Sequence, residues 1–413
     1  MKKQPRILFV LAGLASILAT TGCTASNKGY TPGTPVKVGL ICIHNSSSTY
    51  DKNFIDSMDR AVANLGDRVA GGAAIVKTDV DESIDCYDAA KDLVKQGCNV
   101  VIADSFGHEE FLLTAAEEFP DVVFAHATGT SAATAGLKNF HNAFASIYEG
   151  RYLAGYVAGL KLADMEAAGE LKSSNYDENG NIKLGYVGAY PYAEVISGYT
   201  SWFLGVKEVV PNVVMNVTFT KSWYDPNAEK TGAHSLIDGG AAIISQHADS
   251  MGAPGECETM GVPNVTYNIP LAVECPNTYL AYSKIDWAPY YEALINAVYD
   301  GKAIEGEVNN NYTGTIGTGS VIYDAPNATY KAAAEKVKAE LIAGTRRVFD
   351  CSKFTVGGQH LTSYLADVIP DQAYAKDTEA IVTKGGITYF DESAHRSAPY
   401  FDIDIDGITK LNS

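Results

Sequence analysis

The feature that most constrains the fold is an alternation of short apolar runs and amphipathic segments that begins at residue 37. Runs such as residues 37–43 and 99–105 are rich in Val, Ile and Ala, which suits strands that are buried on both faces. The segments between them, such as residues 83–97, place apolar side chains at helical spacing and end at glycine. Strands that alternate with helices predict an α/β fold with parallel sheets.

The alternation occurs twice in series, and a chain of 413 residues is long enough for two domains. We expect lobe 1 at residues 36–146 and lobe 2 at residues 147–286. A helical segment at about residues 287–300 is expected to return to lobe 1. Residues 301–413 are expected to complete the lobes and to add a turn-rich tail. The sequence therefore predicts two Rossmann-like lobes with a hinge and a ligand cleft between them.

The first 22 residues have the pattern of a signal peptide. Three basic residues precede an apolar run at residues 7–20, which is too short for an ordinary membrane span. A glycine and then Cys23 follow, as in a bacterial lipobox, although Thr20 stands where leucine is usual. We expect lipidation at Cys23, a tether at residues 23–35 and a lipid-anchored protein on the extracytoplasmic face of the cell membrane. An ordinary secretory signal is the alternative.

Charge and missing motifs argue against several function classes. The net charge of −18 disfavours nucleic acid as a partner. The sequence has no G-x-S-x-G elbow, no H-E-x-x-H pair and no dinucleotide fingerprint, so we expect no enzyme and no cofactor. The cysteines show no zinc spacing, and no metal is expected. Cys257 and Cys275 flank a loop-rich segment and are the best candidates for a disulfide.

Candidate ligand-binding residues follow the carboxyl ends of the strands, where open α/β sheets bind ligands. The loop after the first strand, residues 45–58, has no glycine to cradle a phosphate and instead presents aromatic rings. Aromatic rings can stack on a flat ligand, while Asp, Asn and His can read its polar edge. The candidates lie just after the strand ends and at the start of the helical segment that returns to lobe 1. They are Tyr50, Phe54, Phe106, His126, Trp223, His247, Asp249, Asn268 and Trp287.

The motifs "YDKNF", "KSWYDP", "IDGGAAIISQHADSMG" and "RYLAGYVAGL" resemble the basic membrane protein family of lipoproteins over about residues 37–344. Further stretches, among them "FAHATG", "SFG" and "DWAPYY", are most similar to a purine-binding branch. The resemblance implies a type I periplasmic binding protein fold. It also implies a substrate-binding protein of an ABC importer, which captures a purine nucleoside or purine base and docks on a membrane permease.

In that family two aromatic residues sandwich the base, and their positions correspond to Phe54 and Trp223. The alternative for Phe54 is the first core residue of its helix, and Trp287 could be either a lid over the ligand or a packing residue. Ile55 stands where nucleoside-binding members have asparagine, and His126 where many have aspartate. These departures favour a base or a differently held nucleoside. A sugar-binding receptor of the same fold and a surface sensor without a transport role remain as alternatives.

Overall fold

The computed structural model describes residues 30–368 and 375–412. The expected signal peptide and the lipidation of Cys23 lie outside the described residues. Within these two ranges, no helix combines the length and apolar character needed to cross a membrane.

The described residues form nine α-helices and eighteen strands, numbered here in chain order. The helices are α1 (Thr49–Leu65), α2 (Ile84–Lys95), α3 (Glu109–Glu118), α4 (Ile147–Ala167), α5 (Ala193–Val209), α6 (Pro226–Asp238), α7 (Gly252–Met260), α8 (Ala288–Asp300) and α9 (Ala328–Ala343). The strands are β1 (Val38–Ile41), β2 (Ile75–Lys77), β3 (Val100–Ala103), β4 (Val123–Ala127), β5 (Phe140–Ala145), β6 (Ile182–Gly188), β7 (Val213–Phe219), β8 (Ile244–His247), β9 (Asn264–Tyr267), β10 (Tyr279–Ile285), β11 (Glu307–Val308), β12 (Asn311–Gly314), β13 (Val321–Asp324), β14 (Leu365–Ala366), β15 (Thr378–Glu379), β16 (Ile381–Lys384), β17 (Ile387–Phe390) and β18 (Ile408–Lys410).

Lobe 1 is built on a seven-stranded sheet with the order β11-β12-β5-β4-β3-β1-β2, in which only the β11–β12 pair is antiparallel. Its central strands are buried along their whole length, as their unbroken apolar runs require. Helix α1 begins where the Ser48 hydroxyl accepts a hydrogen bond from the Asp51 amide. Helix α8 packs against α1, so the chain does return to this lobe after β10.

Lobe 2 has a second seven-stranded sheet, with the order β13-β10-β9-β8-β6-β7-β18. Only the β10–β13 pair is antiparallel. Helices α4 and α5 pack at backbone contact, because a Cβ added to Gly155 would lie 2.1 Å from the Trp202 carbonyl oxygen. A Cβ on Gly205 would lie equally close to the Tyr152 carbonyl oxygen. The expected α/β class and the two-lobe architecture are thereby confirmed.

The chain passes between the lobes at three places: from β5 to α4, from β10 to α8, and from β12 to β13. These crossings form the hinge. At the second crossing the Asn53 side-chain amide in α1 donates to the Ile285 carbonyl at 2.7 Å. Arg60 and Asp286 add an ion pair of 2.6 Å at the same place.

The described residues after α9, 344–368 and 375–412, pack onto the two lobes. This C-terminal segment contributes two small hairpin sheets, β14–β15 and β16–β17, and then β18, which pairs in parallel with β7. Three buried rings hold it together: Phe349 stacks on Phe401 with 4.2 Å between centroids, and Phe390 meets Phe401 edge-on at 4.9 Å. The expected disulfide is wrong, because Cys257 and Cys275 are both buried free thiols.

Candidate functional site

A narrow cavity lies between the lobes at the carboxyl ends of both sheets, and its volume is about 20 Å³. Both lobes contribute to its lining, with more aromatic and hydrogen-bonding groups than apolar aliphatic ones. No lysine or arginine occurs among the described residues that line it, which are Ile43, Tyr50, Ser105, Phe106, Thr128, Glu194, Trp223, His247 and Asp249. The composition suits a neutral, flat ligand with a polar edge.

The lobes are closed around this cavity. The Thr49 amide at the start of α1 donates to the Asp249 carbonyl of lobe 2 at 2.8 Å. Phe106 of lobe 1 meets Tyr192 of lobe 2 with 5.6 Å between ring centroids. A ligand can therefore enter only after these contacts across the cleft have separated.

The lobe 2 wall is an aromatic cluster around Trp223. Tyr190 meets the Trp223 ring edge-on at 5.0 Å and stacks on Tyr192 at 5.1 Å. Trp223 belongs to the loop between β7 and α6, and that loop ends at Asp225, whose carboxylate caps α6. The expected ring of lobe 2 thus lines the cavity, supported by two tyrosines of the loop after β6.

On the lobe 1 side, Tyr50 lines the cavity and Phe54 does not. The Tyr50 hydroxyl donates to the Asp104 carbonyl at 2.7 Å, which fixes the ring. Phe54, one turn later in α1, is fully buried and stacks on Trp287 at 4.4 Å. Phe54 and Trp287 therefore pack together behind Tyr50, and the structure brings neither of them to the cavity.

The polar floor is formed by His247, Asp249 and Glu194. His247 Nε2 lies 3.4 Å from Glu194 Oε1. Burial, together with the nearby Arg151 guanidinium, lowers the pKa of His247, so the imidazole is neutral near pH 7. Sequence reasoning missed Glu194, which lies in the first turn of α5. The available signal was an acidic residue in the first turn of the helix that follows the β6 strand-end loop.

Asp249 is buried and lies beside other acidic groups. Burial raises its pKa well above the ordinary value, and the charges of Asp51 and Glu229 raise it further. The Asn268 side-chain amide donates to Asp249 Oδ1 at 3.3 Å. Asn268 does not line the cavity and so acts behind Asp249. A neutral Asp249 can donate a hydrogen bond as well as accept one.

His126 supports the cavity from behind. Its Nε2 lies 2.7 Å from the Ser105 carbonyl oxygen, and burial lowers the pKa of His126 to about 4. Two residues later, Thr128 has a φ of 66° and presents a buried hydroxyl with no protein partner. Thr128 and Ser105 line the cavity, whereas His126 positions them.

Glu229 connects the two lobe 2 loops that carry Trp223 and Asp249. Its carboxyl accepts hydrogen bonds from the Ser250 amide at 3.2 Å and from the Asp225 amide at 3.3 Å. Burial raises the pKa of Glu229 to about 7. The two loops are thus fixed to one another by this buried side chain and by the Asp249 amide, which donates to the Trp223 carbonyl at 3.0 Å.

Cys42, Asp51 and Asp104 form a buried group whose potential ligand atoms lie within 4.8 Å of one another. Asp51 accepts hydrogen bonds from the His44 amide at 2.9 Å and from the Ser48 hydroxyl at 2.5 Å. Burial raises the pKa of Asp104 well above its ordinary value, with the Asp51 charge as the next cause. A protonated Asp104 removes one of the two buried charges without a metal. These residues fix the loop after β1, which carries Tyr50.

A family model and the sequences of known proteins both relate this chain to substrate-binding proteins. Residues 39–256 match the family model described as ABC transporter substrate-binding protein, PnrA-like. The purine-binding protein BAB2_0673 of Brucella abortus is 32% identical over 269 residues, which are 64% of this chain and 69% of that protein. The putative ABC transporter glucose-binding protein TsgA13 of Haloferax volcanii is 30% identical over 203 residues, 49% of this chain and 46% of its own length.

Solved structures support the fold. A solute-binding protein of an ABC transporter system from Aeropyrum pernix has a TM-score of 0.58 at 15% identity; the match covers 79% of this chain and 95% of that one. A second, from Conexibacter woesei, has a TM-score of 0.56 at 20% identity and covers 76% of this chain and 98% of that one.

Proposed function

We propose that this chain, which belongs to the PnrA-like family of ABC transporter substrate-binding proteins, captures a purine base or a purine nucleoside between its lobes. The observation that carries the proposal is the cavity lining. Aromatic rings from both lobes surround a floor of hydrogen-bonding groups, and none of the described residues that line the cavity is a lysine or an arginine. The relative that binds purines, 32% identical, supports the same choice of ligand.

In this proposal the ligand plane lies between Trp223 of lobe 2 and Tyr50 of lobe 1. Tyr50 takes the role that the family resemblance implied for Phe54, because Phe54 lies behind it in the core. Base-to-aromatic stacking contributes about 1–3 kcal/mol for each base. Phe106 borders the mouth of the cavity.

The polar edge of the ligand is read by the floor. Glu194 accepts hydrogen bonds from ring N–H or exocyclic amino groups. The Asp249 carboxyl, whose pKa is raised by burial, accepts from a ligand donor and, when protonated, also donates. Thr128 and Ser105 offer further hydroxyl groups from lobe 1. Closure places all these groups around the ligand at once and excludes water, so binding and hinge closure are a single coupled equilibrium.

We further propose that the closed, loaded protein docks on a membrane permease and that Cys23 is lipidated, which would keep the protein at the extracytoplasmic face of the membrane. Metabolic labelling with a palmitate analogue tests the anchor. Wild-type protein should incorporate label and Cys23→Ser should not. Equal labelling of both would refute lipidation at this residue.

Isothermal titration calorimetry tests the ligand class. Adenosine, guanosine, inosine, adenine, ribose and glucose should be titrated separately into purified protein. We expect tight binding of at least one purine compound and no measurable heat from ribose or glucose. Comparing adenine with adenosine shows whether ribose contributes. Binding of a sugar without any purine would overturn the proposal.

A sugar is the second candidate because the TsgA13 relative carries a glucose-binding name. Sugars also stack on aromatic rings, but their many hydroxyl groups are typically held by charged bidentate side chains such as arginine. None of the described lining residues is an arginine, and the two acidic side chains, Glu194 and Asp249, both belong to the polar floor. The purine is therefore favoured.

A further inference from the structure

The C-terminal segment makes contacts with both lobes. About a quarter of the chain has no counterpart in the two solved structures described above, although those structures are matched almost end to end. Within the C-terminal segment, residues 392–401 run along the hinge. We call these ten residues the strap.

The strap begins at lobe 2. Glu392 is buried, and its Oε2 accepts a hydrogen bond of 2.7 Å from the Ser197 hydroxyl in α5. Its Oε1 accepts one of 3.0 Å from the Phe401 amide, at the other end of the strap. One side chain thus fixes both ends of the strap to lobe 2.

The middle of the strap reaches the hinge and lobe 1. The Ser393 hydroxyl lies 3.1 Å from the Ser146 hydroxyl, at the first crossing, where the chain leaves lobe 1 for α4. The Ser397 hydroxyl and amide donate to Asn311 Oδ1 in β12 of lobe 1, at 3.2 and 3.4 Å. The strap therefore touches lobe 2, a hinge crossing and lobe 1 within ten residues.

The strap is held in a defined shape by Arg396. Its guanidinium donates to three backbone carbonyls: Ala398 at 3.1 Å, Val368 at 3.0 Å and Pro399 at 2.9 Å. After the strap, β18 joins the lobe 2 sheet beside β7, so the far end is anchored as well. A segment fixed in this way can carry a restraint between the lobes, which a loose loop could not.

We propose that the strap is a brace across the hinge that restrains lobe opening and raises the closed fraction of the ligand-free protein. Opening the cleft moves lobe 1 relative to lobe 2, and this must break the Ser397–Asn311 contact or distort the strap. A protein whose binding-competent conformation is more populated binds its ligand more tightly by the same factor. The proposal concerns opening alone and does not depend on which ligand binds.

The test measures the distance between the lobes without ligand. Nitroxide labels at Asp88→Cys in lobe 1 and Thr231→Cys in lobe 2 occupy exposed helix positions. Cys23→Ser removes the N-terminal thiol, and the other native cysteines are buried. The test variant combines Ser393→Ala and Ser397→Ala, and double electron–electron resonance gives the distribution of distances.

We expect the test variant to shift the ligand-free distribution towards longer distances and to weaken ligand binding about threefold to tenfold. The matched control is Ser352→Ala with Thr355→Ala. It removes two hydroxyl groups whose bonds, to Asp350 and Asp406, stay inside the C-terminal segment. The control should leave the distribution unchanged. An unchanged distribution in the folded test variant would overturn the proposal.

Hydrogen exchange on the unaltered protein gives a second measurement that needs no variant. Amides of residues 392–401 should be protected in the ligand-free protein to about the level of the hinge crossings. Exchange of these amides at the rate of an open loop would also overturn the proposal. Failure of purine binding in the calorimetric test would leave both of these measurements unaffected.

Discussion

The cleft side and the hinge side of the molecule join the same two lobes in different ways. On the cleft side the lobes meet through ring contacts such as Phe106–Tyr192 and one backbone hydrogen bond, from Thr49 to Asp249. On the hinge side they are joined by three chain crossings and by the strap. Each side has one buried glutamate, Glu229 or Glu392, with a pKa raised by burial to about 7.

The contacts on the cleft side and those on the hinge side therefore have different roles. The cleft contacts are few and mostly aromatic, so a ligand can replace them at little cost. The hinge contacts are covalent, hydrogen-bonded and backed by an aromatic core, so they persist while the cleft opens. Substitutions on the cleft side should therefore change affinity, and substitutions on the hinge side should mainly change stability. The following predictions test this separation, from the largest expected effect to the smallest.

Phe349→Ala should have the largest effect on stability. Phe349 is fully buried and stacks on Phe401. Loss of such a ring typically lowers the free energy of unfolding by about 3–5 kcal/mol. Denaturation in urea measures this loss. Ligand affinity, measured where the variant is still folded, should change less than tenfold. A larger loss of affinity than of stability would contradict the separation.

Glu392→Gln should alter the pH dependence of stability. The folded-state pKa is about 7, above the ordinary 4.5, so the folded protein keeps this proton while the unfolded chain loses it. The stabilisation that the Glu392 carboxyl contributes is therefore fully present below pH 4.5. It is lost as the pH rises through about 7. The loss reaches roughly 3 kcal/mol, and the glutamine variant should be free of it.

The control for that experiment is Glu229→Gln, which removes the corresponding carboxyl on the cleft side. Urea denaturation between pH 4 and pH 8 should show a smaller decline in stability for each variant than for the unaltered protein. Glu229→Gln should change ligand affinity more than Glu392→Gln does, because Glu229 connects the loops of Trp223 and Asp249, whereas Glu392 acts on the ligand only through the strap. Equal effects of both variants on affinity would contradict the comparison.

Trp223→Ala should weaken purine binding at least tenfold, because it removes a stacking surface from the cavity. Thermal stability should fall little, since Trp223 is only half-buried. Calorimetry with the best-bound purine measures the effect. Phe54→Leu is the comparison variant: it should lower stability through the loss of stacking on Trp287 but change affinity less than Trp223→Ala does.

Tyr50→Phe should have the smallest effect. It keeps the ring in the cavity and removes only the hydrogen bond to the Asp104 carbonyl. One such bond contributes about 0.5–1.5 kcal/mol, so affinity should fall about twofold to tenfold. Tyr50→Leu removes the ring as well and should bind more weakly than Tyr50→Phe. Equal affinities of these two variants would show that the ring does not contact the ligand.

The sequence was sufficient for the fold because its signals are local and repeated. Buried strands, helix ends and strand-end loops each leave a pattern within about ten residues. Those loops also indicated Trp223, His247 and Asp249, which line the cavity. The choice between Tyr50 and Phe54 is different. The two residues are one helical turn apart and share a face, so only packing against Trp287 decides which ring reaches the cavity.

The strap was beyond sequence analysis for a similar reason. Ser393 and Ser397 look like ordinary loop residues, and their partners, Ser146 and Asn311, are distant in sequence. Strand β18 has only three residues and shows no periodicity that could assign it to the lobe 2 sheet. The disulfide prediction was wrong because a position at either end of a loop-rich segment does not decide whether two cysteines bond, and both are buried free thiols.

The backbone contact between α4 and α5 has a mechanical consequence. Gly155 and Gly205 leave no side chain between the two helices, so the helices cannot slide past each other without a clash between main-chain atoms. Helix α4 begins at the hinge and α5 begins at the cavity, with Glu194 in its first turn. The pair is therefore a stiff lever, and a small displacement at the ligand is delivered to the hinge as a rotation with little loss to bending.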